Sequence, residues 1–288
     1  RGEVGLMARD QNGVTQIDNI AVFKETDGLG TEVFNITLDS YDSTGKSKYY
    51  RYEYEETYKI IAPYWSAHKA VILSEPPSTP LVDKVIKPIG EEKKICYNTK
   101  YFNGILQTET TSFSEDRLSK FSIKKIPTSD FSISHRYSIL IKQYVQSLEA
   151  YTFYKTLKKF AGDGSLFSQT QPGFFNGNVC SVNNSEEKVI GFFDVTSVSE
   201  KRMFFNYRDF VDIGRPPHLT ACYTLAPILR TGMDGTSALI EALKSGDWVY
   251  YDINPNWGPE EGPYLLMPKG CGDCTVYGTD VKPSFWVD

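Results

Sequence analysis

The chain has 288 residues, with 31 Lys plus Arg against 36 Asp plus Glu and a formal net charge of -5, which argues against a nucleic-acid binder. Forty per cent hydrophobic and 23% charged residues exclude a disordered, collagen-like or coiled-coil chain, and the length fits about two domains or one large β-rich unit. Nineteen Tyr, 17 Phe and 4 Trp beside only 3 His favour strands and leave little material for histidine-based catalysis.

Residues 14–58 read as β structure. Phe34, Ile36 and Leu38 alternate with polar neighbours, Asp42-Ser43-Thr44-Gly45 supplies turn chemistry, and Tyr50, Tyr52 and Tyr54 alternate with Arg51, Glu53 and Glu55. Two antiparallel strands are expected across that turn. Alternation puts the tyrosines, continued by Tyr58 and Ile60, on one face and the charged residues on a solvated opposite face. Pro76, Pro77 and Pro80 predict an extended connection inside an insertion near residues 74–90. Residues 121–126 suit a short strand, and residues 137–145 suit a longer one that stops at Ser147, a good helix cap. On the following helix Leu148, Tyr151, Tyr154, Leu157 and Ala161 recur at helical spacing. Glu149 lies at its start, Lys158 and Lys159 near its end, and Gly162 can close it. Strand-like runs at 178–182 and 189–195 flank a polar turn, and residues 202–207 extend the sheet. A second helix is predicted over 237–244, capped by Thr236 and ended by Gly246, ahead of a strand at Trp248-Val249-Tyr250-Tyr251 and a proline-punctuated tail. No stretch approaches the roughly 18 apolar residues that a membrane-spanning helix needs.

Five cysteines, Cys96, Cys180, Cys222, Cys271 and Cys274, leave at least one unpaired within the chain. The Cys271-x-x-Cys274 spacing is not followed by a helical pattern, as a thioredoxin-like redox motif would require. His218, Cys222, Cys271 and Cys274 together would offer the Cys₃His set of a structural zinc site. Such half-motifs arise readily by chance, and His218 follows two prolines. In an exported protein a disulfide from Cys222 to Cys271 or to Cys274 suits the tail better.

No catalytic residue and no cofactor is assigned. The three histidines accompany no Gly-x-Ser-x-Gly elbow, and no glycine-rich phosphate loop precedes a helix. Glu53, Glu55 and Glu56 could supply paired carboxylates for glycoside hydrolysis, but Glu53 and Glu55 share the face of Arg51, as in a solvated charged face. Tyr64, Trp65 and Trp257 sit in loop contexts where aromatic rings can stack on a sugar, a peptide or a partner protein, with ordinary packing as the plain alternative.

Several motifs in order resemble one family. They are the run from Tyr49 through Tyr58, Arg136-Tyr137-Ser138 with Gln143-Tyr144, Glu149-Ala150-Tyr151, and Gly191-Phe192-Phe193 through Lys201-Arg202. In the tail, Cys271-x-Asp273-Cys274, Gly278-Thr279 and Lys282-Pro283-x-Phe285-Trp286 follow. This pattern is similar to domain-of-unknown-function family 4249, uncharacterised Bacteroidota outer-membrane lipoproteins often encoded beside TonB-dependent receptors. The resemblance implies an Ig-like or fibronectin-like β-sandwich in a mainly β chain with a few helices. The sandwich is expected over residues 1–146 with the Pro-rich insertion, and residues 147–288 supply a helix, further strands and a stapled tail. It also implies outer-membrane localisation through a lipid anchor that would precede Arg1, and it brings no catalytic residues to carry over. The expected function is non-catalytic binding of a TonB-dependent transporter or capture of its ligand. A structural subunit of a larger envelope assembly is the alternative, and a glycan hydrolase is a distant third.

Overall fold

The computed structural model describes residues 15–162, 177–182, 184, 189 and 191–288. Among them the strands are β1 (Ile17–Thr26), β2 (Glu32–Asp42), β3 (Tyr49–Ile61), β4 (His68–Ser74), β5 (Leu81–Ile86), β6 (Ile95–Tyr101), β7 (Leu106–Glu109), β8 (Asp116–Pro127), β9 (Arg136–Gln146), β10 (Val198–Asn206), β11 (Trp248–Ile253) and β12 (Tyr264–Pro268). The helices are α1 (Leu148–Gly162), α2 (Ala238–Ser245) and the single turn α3 (Lys269–Gly272). The protein is mostly β and built from open sheets, in keeping with a sandwich-like fold. Two compact units emerge, each assembled from three stretches of chain: residues 1–56, 101–127 and 139–203 in the first, and 57–100, 128–138 and 204–288 in the second. Residues 146 and 147 both lie within the first.

In the first unit, β1, β2 and β8 form an antiparallel sheet with β2 at its centre, where Phe34, Ile36 and Leu38 are fully buried. A second sheet runs β10-β9-β3-β6, with β7 paired to β3; residues 49–56, 101, 106–109, 139–146 and 198–203 of it belong to the first unit. The two strands expected to pair across the Asp42 turn therefore sit in different sheets. The reason is burial. Tyr50 and Tyr52 are as fully buried as the apolar face of β2, and two such faces are satisfied by facing each other rather than lying side by side. The ring of Tyr52 accordingly packs on Phe121 of β8, with centroids 5.2 Å apart.

Asp42 makes the turn between these sheets. Its carboxylate accepts hydrogen bonds from the Thr44 amide (2.8 Å), the Thr44 hydroxyl (2.7 Å), the Lys46 amide (3.1 Å) and the Ser47 amide (2.8 Å). Burial opposes the charge, but the bonds from Thr44 and Ser47 outweigh it and hold the carboxyl well below the ordinary aspartate range. A carboxyl depressed in the folded state stabilises above its unfolded value, and that contribution is lost as pH falls toward the folded one. Unfolding midpoints measured from neutral pH down into the acid range should therefore fall more steeply for the wild type than for Asp42→Asn. Parallel acid limbs would show that Asp42 is not the group responsible.

The face carrying Arg51, Glu53 and Glu55 is partly covered, and only partly solvated. Arg51 lies 4.5 Å from the centre of the Tyr144 ring and 5.1 Å from that of Tyr154 on α1, and it pairs with Glu53 at 2.6 Å. The α1 helix begins as its sequence predicts, with the Ser147 hydroxyl accepting from the Ala150 amide at 3.1 Å. Its inner side is Ala150, Tyr151 and Phe153, whereas Leu148 is exposed. The runs at 178–182 and 189–195 form no strand among their described residues. There the Asn178 side chain brackets the backbone of Phe193, donating to its carbonyl and accepting from its amide, both at 2.7 Å.

In the second unit the expected proline-rich connection is the turn of a hairpin between β4 and β5. The hairpin forms because its strands carry core residues. Val82 is buried with Leu239 and Ile240 of α2 and Leu266 of β12, and Ala70, Ile72 and Trp248 pack around that cluster. The cap of α2 is Ser237, one residue later than the sequence suggests, with the Thr236 hydroxyl bonded to Asp234 and the Ser237 hydroxyl to the Leu229 carbonyl; Gly246 closes the helix in the left-handed conformation at φ 75°. The tail is ordered by contact with β6. Tyr97 and Thr279 form a β-bridge, and a side chain on Gly278 would meet the Tyr97 carbonyl oxygen at 2.4 Å, which explains the glycine. Trp286 is buried against the rings of Tyr97 and Phe204. No helix among the described residues is long and apolar enough to cross a membrane.

Candidate functional site

The tail cysteines converge in the second unit. Cys222 is bonded to Cys271, and Cys274 to Cys96, a cysteine 178 residues distant that the sequence left open. Cys180 is free and exposed. His218 lies beside the first disulfide, and its ligand nitrogen and the Cys222 and Cys271 sulfurs fall within 4.8 Å of one another. These do not form the zinc set that the spacing suggested. Zinc takes thiolates, and the sulfurs of Cys222, Cys271 and Cys274 are all spent in disulfides, which leaves one imidazole. Of that imidazole, Nδ1 accepts from the Thr220 amide, the ring packs edge-on against Phe131 and Tyr277, Nε2 is buried without a partner, and burial pulls its pKa below the ordinary histidine value.

Tyr64 and Trp65 are half-buried. The Tyr64 amide donates to the Cys271 carbonyl at 3.0 Å and its ring meets Tyr251 edge-on. The ammonium groups of Lys87 and Lys94 lie over the Trp65 ring, 5.5 and 5.4 Å from its centre. Trp257 differs in being 68% exposed. Its loop is organised from beneath by the buried Asn254, which accepts from the Asn256 amide and donates to the Gly262 carbonyl at 2.8 Å. The indole borders a cleft of about 560 Å³ with Pro77 and Pro80 of the β4–β5 turn, Ile228, Leu229 and Pro259. Arg230 and Glu261 give this apolar cleft one charge of each sign.

A second cleft in this unit, about 430 Å³, is lined by the apolar Ile72, Leu243 and Trp248 together with His68, Lys87 and Asp273. Burial holds the Lys87 ammonium below the ordinary lysine value. Sequence reading missed this cleft because its lining comes from separate stretches of chain that share no local pattern. The three glutamates considered for glycoside hydrolysis are each tied up. Glu53 accepts from the Tyr144 hydroxyl at 2.9 Å, Glu55 pairs with Arg202 at 3.0 Å, and the buried Glu56 pairs with Lys124 on the tyrosine side of β3.

A family model, Domain of unknown function (DUF4249), matches residues 8–202. The chain belongs to this family. No curated protein and no solved structure matches it significantly. The DUF4249 match takes in the tyrosine-rich β3 and the cap and helix of α1, whereas Trp257 and the tail cysteines follow it in the chain.

Proposed function

We propose that this DUF4249 protein is a non-catalytic binding protein of the cell envelope. In this reading a lipid anchor holds it at the outer membrane, where it engages a TonB-dependent transporter or captures that transporter's ligand. The observation that carries the reading is the Trp257 cleft: an exposed indole lining an apolar cleft beside proline-bearing turns is an aromatic surface of the kind that anchors protein and ligand contacts. Two disulfides support an oxidising compartment.

The test is affinity purification of the full-length, lipid-anchored protein from its native membrane, followed by mass spectrometry of what accompanies it. A TonB-dependent receptor should dominate with the wild type and fall at least tenfold with Trp257→Ala, a surface change expected to alter stability by no more than about 0.5 kcal/mol. Recovery of a different multi-subunit assembly would replace this reading with that of a structural subunit. Equal recovery of the receptor with both proteins would remove Trp257 from the interface.

A further inference from the structure

Another cleft of the second unit, about 360 Å³, is lined by Lys59, Arg136, Arg208 and Arg215 against two carboxylates, Asp209 and Asp288. Four cations less two anions leave a local excess of two positive charges, on a chain whose net charge is -5. Part of this charge is committed, and the commitments fix the geometry. Lys59 pairs with Asp288 at 3.0 Å. Arg136 donates through Nε to the Val287 carbonyl and through Nη1 to Asn206 at 3.1 Å, and Arg208 donates to the Asp212 carbonyl. Asp209 is occupied in accepting from the Asn206 amide at 2.8 Å. Arg215 is exposed and makes no ion pair or hydrogen bond among the described residues.

An independent feature points to a ligand. Ser134 lines the same cleft and is only 3% exposed, yet its hydroxyl has no hydrogen-bond partner. A buried hydroxyl without a partner costs free energy, and a turn of the Ser134 side chain toward the cleft would let a bound acceptor recover it. Beside it, burial and the charges of Arg215 and Lys59 push the His135 imidazole down to about 4, so at neutral pH it adds a neutral N–H. Forked guanidinium groups, an ammonium and a hydroxyl donor together match an oxygen-rich anion.

We propose that this cleft binds a small multivalent oxyanion group, phosphate or polycarboxylate, with Arg215 closing on it and Ser134 donating to it. The group could be carried by a free solute or by a lipid headgroup, and the two sources give different results below. The site shares no residue with the Trp257 cleft, so it stands or falls separately from the function proposed above.

The test is calorimetric titration of the full chain with inorganic pyrophosphate and with citrate at low and moderate salt. In parallel, co-sedimentation is measured with phosphatidylcholine vesicles that contain or lack phosphatidylglycerol. The expected result is binding that weakens as salt rises, falls at least tenfold in Arg215→Glu, falls several-fold in Ser134→Ala, and is unchanged in Lys84→Glu, a charge reversal of a half-exposed β5 lysine outside the cleft. Binding of the soluble probes identifies a free solute, and binding of anionic vesicles alone identifies a headgroup. The proposal is overturned if the wild type binds none of these probes, or if Lys84→Glu weakens binding as much as Arg215→Glu, which would mark a diffuse surface effect.

Discussion

Replacing Cys96 and Cys274 together by alanine is expected to destabilise the protein more than replacing Cys222 and Cys271, although the two disulfides lie in the same unit. The first joins positions 178 residues apart and the second positions 49 apart. A cross-link restricts the unfolded chain in proportion to the logarithm of the loop it closes, which gives about 5 kcal/mol for the first and about 4 for the second. Cys96 also lies next to Tyr97, the residue whose backbone bridges Thr279, so losing its bond releases the tail from β6 as well. Guanidinium unfolding of the two double variants under non-reducing conditions measures the order directly. Hydrogen exchange should place the loss in residues 57–100 and 204–288. A larger cost for the Cys222 and Cys271 pair would mean that native-state packing around His218, and not loop closure, dominates the staple.

Tyr52→Ala is expected to cost about 3 to 5 kcal/mol and Tyr52→Phe about 1 to 3. The ring is fully buried against Phe121, so truncation leaves a cavity between facing strands. The hydroxyl donates to Gln143 Oε1 at 3.1 Å, and Gln143 in turn donates to the Thr15 carbonyl at 3.0 Å. Gln143 is itself fully buried, and the phenylalanine variant would leave its acceptor without a donor where water cannot replace it. Burial, with Tyr50 nearby, holds the Tyr52 phenol well above the ordinary tyrosine range, so it keeps its proton and serves as a donor throughout the neutral range. Chemical denaturation of both variants separates cavity from hydrogen bond. Equal costs for the two would mean that the hydrogen bond carries most of the effect and that the site collapses around the missing ring.

How much was legible in the sequence follows from the range of each interaction. Alternation of Phe34, Ile36 and Leu38 marks a strand because side-chain direction repeats every two residues, whatever the strand later packs against. Ser147 and Gly246 mark helix ends because capping bonds reach only three or four residues. The face of Arg51, Glu53 and Glu55 is less solvated than expected for the opposite reason. Alternation shows that they share a face, but α1 and the neighbouring strands, a hundred residues on, decide what covers it. The exposure of Trp257 is legible in its proline- and glycine-flanked context, whereas the cleft lined by Trp248 and the cationic cleft at Ser134 left no local trace.

By itself, then, the sequence determined a mainly β chain with its principal helix, the positions of its turns and caps, and its membership of a family, since all of these rest on neighbours in the chain. Only the tertiary structure decided that β2 and β3 face each other from separate sheets, that the proline-rich run closes a hairpin on its own core, and that Cys274 bonds Cys96 while Cys222 bonds Cys271. These outcomes depend on which buried surfaces meet across tens to hundreds of residues, and the free energy that selects among them resides in contacts that exist only after the chain has folded.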